Sequence, residues 1–232
     1  MLIEEFVDRL DQVINHYDLL RHPFYQAWSV GKLTRQDIAE YSRDYYHHVE
    51  AFPRALAQFA RRLSNTELRA VVLANLAEEM GPRPCDSHAS FWLDFAEGFG
   101  VARPIHTKPS SGVKQLMTFF ERIARGGRPE EVLAAFYAYE SQVPRISKEK
   151  VRGLRDFYGA DDRICHYFLV HITADAEHAQ SWRTQLTQRI GSYPNLASLT
   201  LASATATASA LWKALDGIEK GRMSRQVEDL CG

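Results

Sequence analysis

The chain has 232 residues, 45% hydrophobic and 25% charged, with a formal net charge of −1. That is enough chain to bury a substantial core, and the balanced charge gives no electrostatic case for nucleic acid or an anionic membrane. Three cysteines, Cys85, Cys165 and Cys231, stand at unrelated spacings without a CxxC pair, which suits reduced thiols rather than a disulfide framework.

Helical periodicity runs through the whole chain, and strand-like alternation is absent. From Leu2 to Leu20, Phe6, Leu10, Val13, Tyr17 and Leu20 share one face, and His22-Pro23 ends the helix because a residue before proline is pushed out of the α region. Thr34 caps the next helix, with Asp37 in its first turn, and that helix reaches about Leu63 with a kink expected at Pro53. Asn65 or Thr66 opens a third helix ending near Met80. Asp86 or Ser87 caps a fourth, from His88 to about Phe99. Residues 102–110 read as a connection. Further helices are predicted over 111–125, 130–158 with a bend at Pro144, 161–190 and 196–219. The Ala/Ser/Thr-rich run Leu199–Ala210 reads as a close-packed helix, not a linker. The expectation is an all-α bundle of about seven to eight helices, a single domain over residues 1–220 with a flexible tail over 221–232. The acidic opening Leu2-Ile-Glu4-Glu5 lacks the basic start of a signal peptide and no apolar run reaches membrane length, so a soluble, cytoplasmic protein is expected.

One stretch stands apart. In His171-Ile-Thr-Ala-Asp175-Ala-Glu-His178 the two imidazoles and the carboxylate fall at i, i+4 and i+7, within roughly 60° of one another on a helix. One face cannot surround an ion, so facing helices must supply the rest. Glu79 ends the run Val71–Glu79, His88 precedes Phe91-Trp92, and Glu140 ends the apolar run Ala134–Tyr139. A buried carboxylate without a cation is costly. Mixed carboxylate and imidazole sets on facing helices hold pairs of first-row ions, whereas structural zinc favours thiolates or a closed tetrahedron. The same region is rich in tyrosine: Tyr25, Tyr41, Tyr45, Tyr46, Tyr137, Tyr139, Tyr158 and Tyr167. Ordinary packing, with each hydroxyl finding a partner, accounts for most of them.

The motifs His22-Pro-Phe-Tyr25-Gln, Asp44-Tyr-Tyr46, Ala51-Phe-Pro53, Asn75-Leu, Tyr139-Glu-Ser-Gln142-x-Pro144, Glu149-Lys150 and His171-x3-Asp175-x2-His178 resemble the chlamydial protein associating with death domains and its bacterial relatives. That family sits beside the pyrroloquinoline-quinone synthases and thiaminase II proteins in the haem-oxygenase-like helical fold. The resemblance covers about residues 15–190. It implies two transition-metal ions, iron with iron or iron with manganese, that activate dioxygen with an external reductant. The implied ligands are Glu79, Glu140, His171, Asp175 and His178, with His88 as the sixth. It further implies synthesis of para-aminobenzoate for folate, with Tyr25 giving up its ring, Lys150 its nitrogen and Tyr41 standing beside them, in a homodimer. Here eight residues separate Glu79 from His88, two more than the family pattern, which leaves Glu78 as an alternative to Glu79.

Other readings of the same fold remain. A quinone synthase-like oxidase needs no ion. A thiaminase needs a nucleophilic cysteine, but Cys165 points about 240° away from His171 around the helix. A haem oxygenase needs glycine in the distal helix, and none occurs between residues 161 and 190; His16 or His22 could serve as haem ligands. A non-enzymatic partner-binding protein is the remaining class.

Overall fold

The computed structural model describes residues 2–231, and their side chains as far as residue 227. Among the described residues there is no strand, and no helix is long and apolar enough to cross a membrane. Ten helices follow in order: α1 (Ile3–His16), α2 (Pro23–Ser29), α3 (Arg35–Arg62), α4 (Thr66–Met80), α5 (His88–Gly98), α6 (Ser111–Gly126), α7 (Pro129–Glu140), α8 (Val143–Tyr158), α9 (Asp162–Ser192) and α10 (Ala197–Cys231). Helix α3 packs against α4, α5 and α6, while α9 lies against α5, α7 and α8, and α10 covers α1, α6 and α7.

Local chemistry sets the boundaries. Thr34 and Asp37 form a reciprocal capping box, and Asn65, Ser87, Ser110 and Asp161 each accept from a backbone N–H in the first turn of their helices. The small-residue run lies inside α10, where Thr200, Ala204, Thr207 and Ala208 are fully buried and the Ser203 hydroxyl donates to the Glu131 carbonyl at 2.7 Å.

Three expectations fail for physical reasons. The first helix stops at His16, and a separate helix α2 follows a 3-10 turn over Leu19–Arg21. His22 caps it: Nδ1 accepts from the Phe24 N–H at 3.1 Å, and Nε2 meets Asp216 of α10 at 3.2 Å. Pro23 then occupies the first turn, where its missing N–H costs nothing. The predicted helix over 130–158 divides instead of bending. Pro144 cannot donate, and its ring crowds the carbonyl four residues back, that of Glu140, so α7 ends there. Buried Gln142 bridges the gap by accepting from the Leu19 N–H at 3.1 Å and donating to the Ala138 carbonyl at 3.2 Å. Finally, the expected flexible tail is helical to Cys231: Arg222 is buried on Glu219 at 2.6 Å, and Arg225 reaches Asp37 at 3.1 Å. Cys85 is exposed and Cys165 buried, both as free thiols, and the side chain of Cys231 lies outside the described residues.

Helices α2 and α8 approach closely at Gly153, where a Cβ would stand 2.8 Å from the Trp28 indole. Phe24 and Trp28 are fully buried, each worth roughly 1.5–3 kcal/mol of apolar burial. Lys150 lies one turn before Gly153 and is carried inward by the same approach. Gly153→Ala should therefore lower unfolding stability by about 1–3 kcal/mol. Gly126→Ala, with nothing within 4 Å of the added carbon, should be neutral or slightly stabilising. Chemical denaturation of the two variants checks the contrast.

Candidate metal centre

Helix α9 carries His171, Asp175 and His178 on one buried stripe, as their spacing requires. Helix α4 brings Glu79, the start of α5 brings His88, and the last residue of α7 brings Glu140. All six residues are at least 94% buried. They fall into two groups of three: Glu79, His88 and His171, and Glu140, Asp175 and His178. Within each group one ligating atom per residue lies within 4.8 Å of the other two. The eight residues between Glu79 and His88 include a 3-10 turn at Pro84–Asp86, entered through Gly81 at φ 64°. A Cβ at Gly81 would come within 2.4 Å of the Asp86 carbonyl oxygen, so the turn needs glycine there.

The contacts in the first group leave room for a cation. His88 Nδ1 lies 3.1 Å from Glu79 Oε2 yet too oblique for a hydrogen bond, and it has no other partner. His171 Nδ1 is held by the Tyr167 carbonyl at 2.6 Å, which leaves Nε2 as the ligating atom. In the second group His178 Nδ1 faces Asp175 at 3.4 Å and Glu140 at 3.9 Å without a hydrogen bond. Buried nitrogens without partners, aimed at carboxylates, are costly unless something positive sits between them. The donor set, three carboxylate and three imidazole, suits first-row ions of the iron and manganese type. The residues present fit two ions.

Sequence reasoning missed the supports of this centre. Asn75 Nδ2 donates to both Glu140 oxygens at 3.1 and 3.3 Å, and the Trp182 indole N–H donates to Oε2. The periodicity contained the signal: Asn75 is one turn before Glu79, and Trp182 one turn after His178. Glu78, an alternative to Glu79 in the sequence, meets His178 Nε2 at 3.0 Å and belongs to neither group of three.

Burial dominates the electrostatics. It raises the Glu140 carboxyl to about 8, with Asp175 adding to the shift, and it holds Asp175 well above the carboxylate range. Burial lowers His171 to about 3, helped by the neighbouring His88. Burial alone would raise Glu79, but the imidazoles of His88, His171 and His178 hold it below its ordinary value; burial likewise works against charge on His88, and Glu79 outweighs it.

A second cluster adjoins the first. Tyr25 stands in α2, inside a regular helix, and its hydroxyl lies 3.2 Å from that of Tyr41. The Lys150 amine donates to the Tyr41 oxygen. Its Nζ sits inside a shell of rings, 4.9 Å from the centre of Tyr25, 4.8 Å from Tyr41 and 4.9 Å from Phe168. Burial pushes its pKa far below the usual lysine value. Rings connect the two clusters. Tyr167 stacks on His171 at 3.9 Å and meets Trp92 edge-on at 4.8 Å, and Trp92 lies 5.7 Å from Tyr41. Other tyrosines are structural: Tyr137 donates to Asp11 at 2.8 Å and Tyr158 to the Leu33 carbonyl at 2.7 Å. Cys165 is buried, with its thiol pushed up by burial, so no activated nucleophile stands there.

A family profile described as an iron-containing redox enzyme matches residues 39–212. A 4-aminobenzoate synthase of Chlamydia muridarum is 37% identical over 179 residues, which is 75% of this chain and 75% of that protein. A 4-aminobenzoate synthase of Nitrosomonas europaea is 33% identical over 234 residues, covering 95% and 93% of the two chains. In fold, the chain is similar to a haem-oxygenase-like domain of unknown function from Shewanella denitrificans, with a TM-score of 0.80 at 18% identity over 97% and 95% of the chains.

Two predictions follow from the centre. Burial raises the Glu140 carboxyl to about 8, so at pH 7 it holds a proton that loading with a divalent ion must expel, and burial shifts Asp175 in the same direction. Binding enthalpy measured in buffers of different ionisation heat should reveal proton release, shrinking above about pH 8. Because the folded carboxyl pKa is raised from 4.5, the metal-free fold binds more protons than the unfolded chain, and its stability should fall as pH rises through 8. Separately, Glu140→Ala should lose one ion with helical content intact, by elemental analysis and circular dichroism; full loading would refute its role.

Proposed function

Because this chain belongs to the iron-containing redox enzymes of haem-oxygenase-like fold, in the family of the chlamydial 4-aminobenzoate synthases, we propose that it makes para-aminobenzoate from its own Tyr25 and Lys150. It is an oxidoreductase. In this reading two transition-metal ions, iron with iron or iron with manganese, bind at the two groups of three, and an external reductant and dioxygen complete the reaction. When bound, such ions supply the activation of dioxygen.

The observation that carries the reading is the state of Lys150. It is buried among aromatic rings with only a tyrosine hydroxyl on its amine, and no carboxylate helps it hold a charge. Desolvation pushes the amine toward its neutral form, which is the nucleophilic one. Tyr41 contacts both partners, accepting from Lys150 and sharing a hydrogen bond with Tyr25, so it fixes the amine over the Tyr25 ring. A lysine with a structural role alone would gain nothing from so costly a location.

The product's chemistry agrees with those two donors. Para-aminobenzoate has nitrogen at the ring carbon where tyrosine has oxygen, and a carboxyl where tyrosine has Cβ. Its formation from Tyr25 requires a new ring C–N bond to the Lys150 nitrogen with cleavage of that lysine's Cε–Nζ bond, loss of the phenol oxygen, cleavage of the Tyr25 Cα–Cβ bond and oxidation of Cβ to carboxyl. The oxidising equivalents come from dioxygen. Burial of Tyr25, Tyr41 and Lys150, and the contiguous rings of Trp92 and Tyr167, keep water from this chemistry.

Protein grown on ring-labelled tyrosine, loaded with iron or with iron and manganese, and given reductant and dioxygen should release labelled para-aminobenzoate, at most one per chain. Tyr25→Phe should release none. Unlabelled product formed over many turnovers would refute the proposal.

A further inference from the structure

Glu78 and Glu79 are adjacent on α4, so their side chains diverge by about 100° around the helix. Glu79 turns into the core beside His88. Glu78 stays half exposed, at the edge of an open cavity of about 600 Å³ that Met80, Gly81, His88, Val170 and Ala174 also line. From there its carboxylate reaches His178 Nε2 at 3.0 Å, on an imidazole that is itself buried.

The two ring nitrogens of His178 point in divergent directions. Nδ1 faces Asp175 and Glu140 and has no hydrogen-bond partner, while Nε2 faces Glu78. A neutral imidazole has a single N–H. With that proton on Nε2 and donated to Glu78, the Nδ1 lone pair is free and aimed into the second group of three. With the proton on Nδ1 the group could not bind an ion through His178 at all. A carboxylate behind a ligating histidine fixes its tautomer, holds the ring plane and raises its basicity.

We infer that Glu78 is a positioning residue for this centre: it holds His178 in the tautomer and orientation that present Nδ1 to the ion shared with Asp175 and Glu140. Glu78 itself is not a ligand, because its carboxylate lies on the side of the ring away from that ion. The inference rests on the two-ion reading above and deepens it by giving the second ion its own, solvent-facing support.

Cobalt(II) binding to the metal-free full chain tests this, read by ligand-field absorption in competition with a chromophoric chelator. In Glu78→Ala, one of the two ions should bind roughly 10- to 100-fold more weakly and the other should be unchanged. Glu78→Gln keeps an acceptor for the Nε2 proton and should recover most of that loss. Unchanged affinities in Glu78→Ala, or equal weakening of both ions, would overturn the inference while leaving the centre in place. A glutamine variant as weak as the alanine one would also overturn it, since the carboxylate would then be a ligand. Wild-type protein holding fewer than two cobalt ions would overturn the two-ion reading and this inference together.

Discussion

Three carboxylates in the middle of a helical core are the constraint on which the rest depends. Glu79, Glu140 and Asp175 are at least 94% buried, and the buried Lys150 amine donates to Tyr41 and not to any of them. Taking such groups out of water costs several kcal/mol per charge unless cations return it. Without ions, burial shifts Glu140 and Asp175 toward their protonated forms, while the imidazoles around Glu79 hold it below its ordinary value. That arrangement leaves the ligating nitrogens of His88 and His178 without partners.

The helices serve that constraint from different directions. The long α9 supplies three groups on a single stripe because its register is continuous from Asp162 to Ser192. Helix α7 supplies Glu140 by ending at it, and it ends there because Pro144 cannot continue the helix. Asn75 and Trp182 then hold the Glu140 carboxylate in place. On the other flank, the His22 cap starts α2, and the contact of Trp28 with Gly153 brings α8 close, so Tyr25 and Lys150 meet over Tyr41. Neither cluster is complete without a helix break.

Much of this was legible in the sequence. The i, i+4, i+7 spacing of His171, Asp175 and His178 fixes a shared face whatever the surroundings, and Glu140 stood out as a charge ending an apolar run. The capping residues Thr34, Asn65 and Ser87 gave helix starts that the structure keeps. What could not be read depends on contacts distant in sequence. His22 acts as a cap, a role that periodicity does not signal, and α2 went unseen because seven residues are too few to display a period. The break after Glu140 was read as a bend because sequence alone does not show Gln142 bridging to Leu19, 123 residues away. Only the packing of α2 on α8 puts Lys150 among aromatic rings, which no local pattern signals. The tail past Gly221 looked free because its partner, Asp37, lies on α3.

The central claim, that the chain consumes itself, is tested most directly by weighing the chain after reaction. Peptides spanning residues 25 and 150 should be compared by mass spectrometry before and after exposure of the iron- or iron–manganese-loaded protein to reductant and dioxygen. The peptide bearing Tyr25 should lose its whole side chain, ring and Cβ together, and the peptide bearing Lys150 should lose its amine nitrogen, in proportion to the para-aminobenzoate released. Product formed while both peptides keep their masses would contradict the claim.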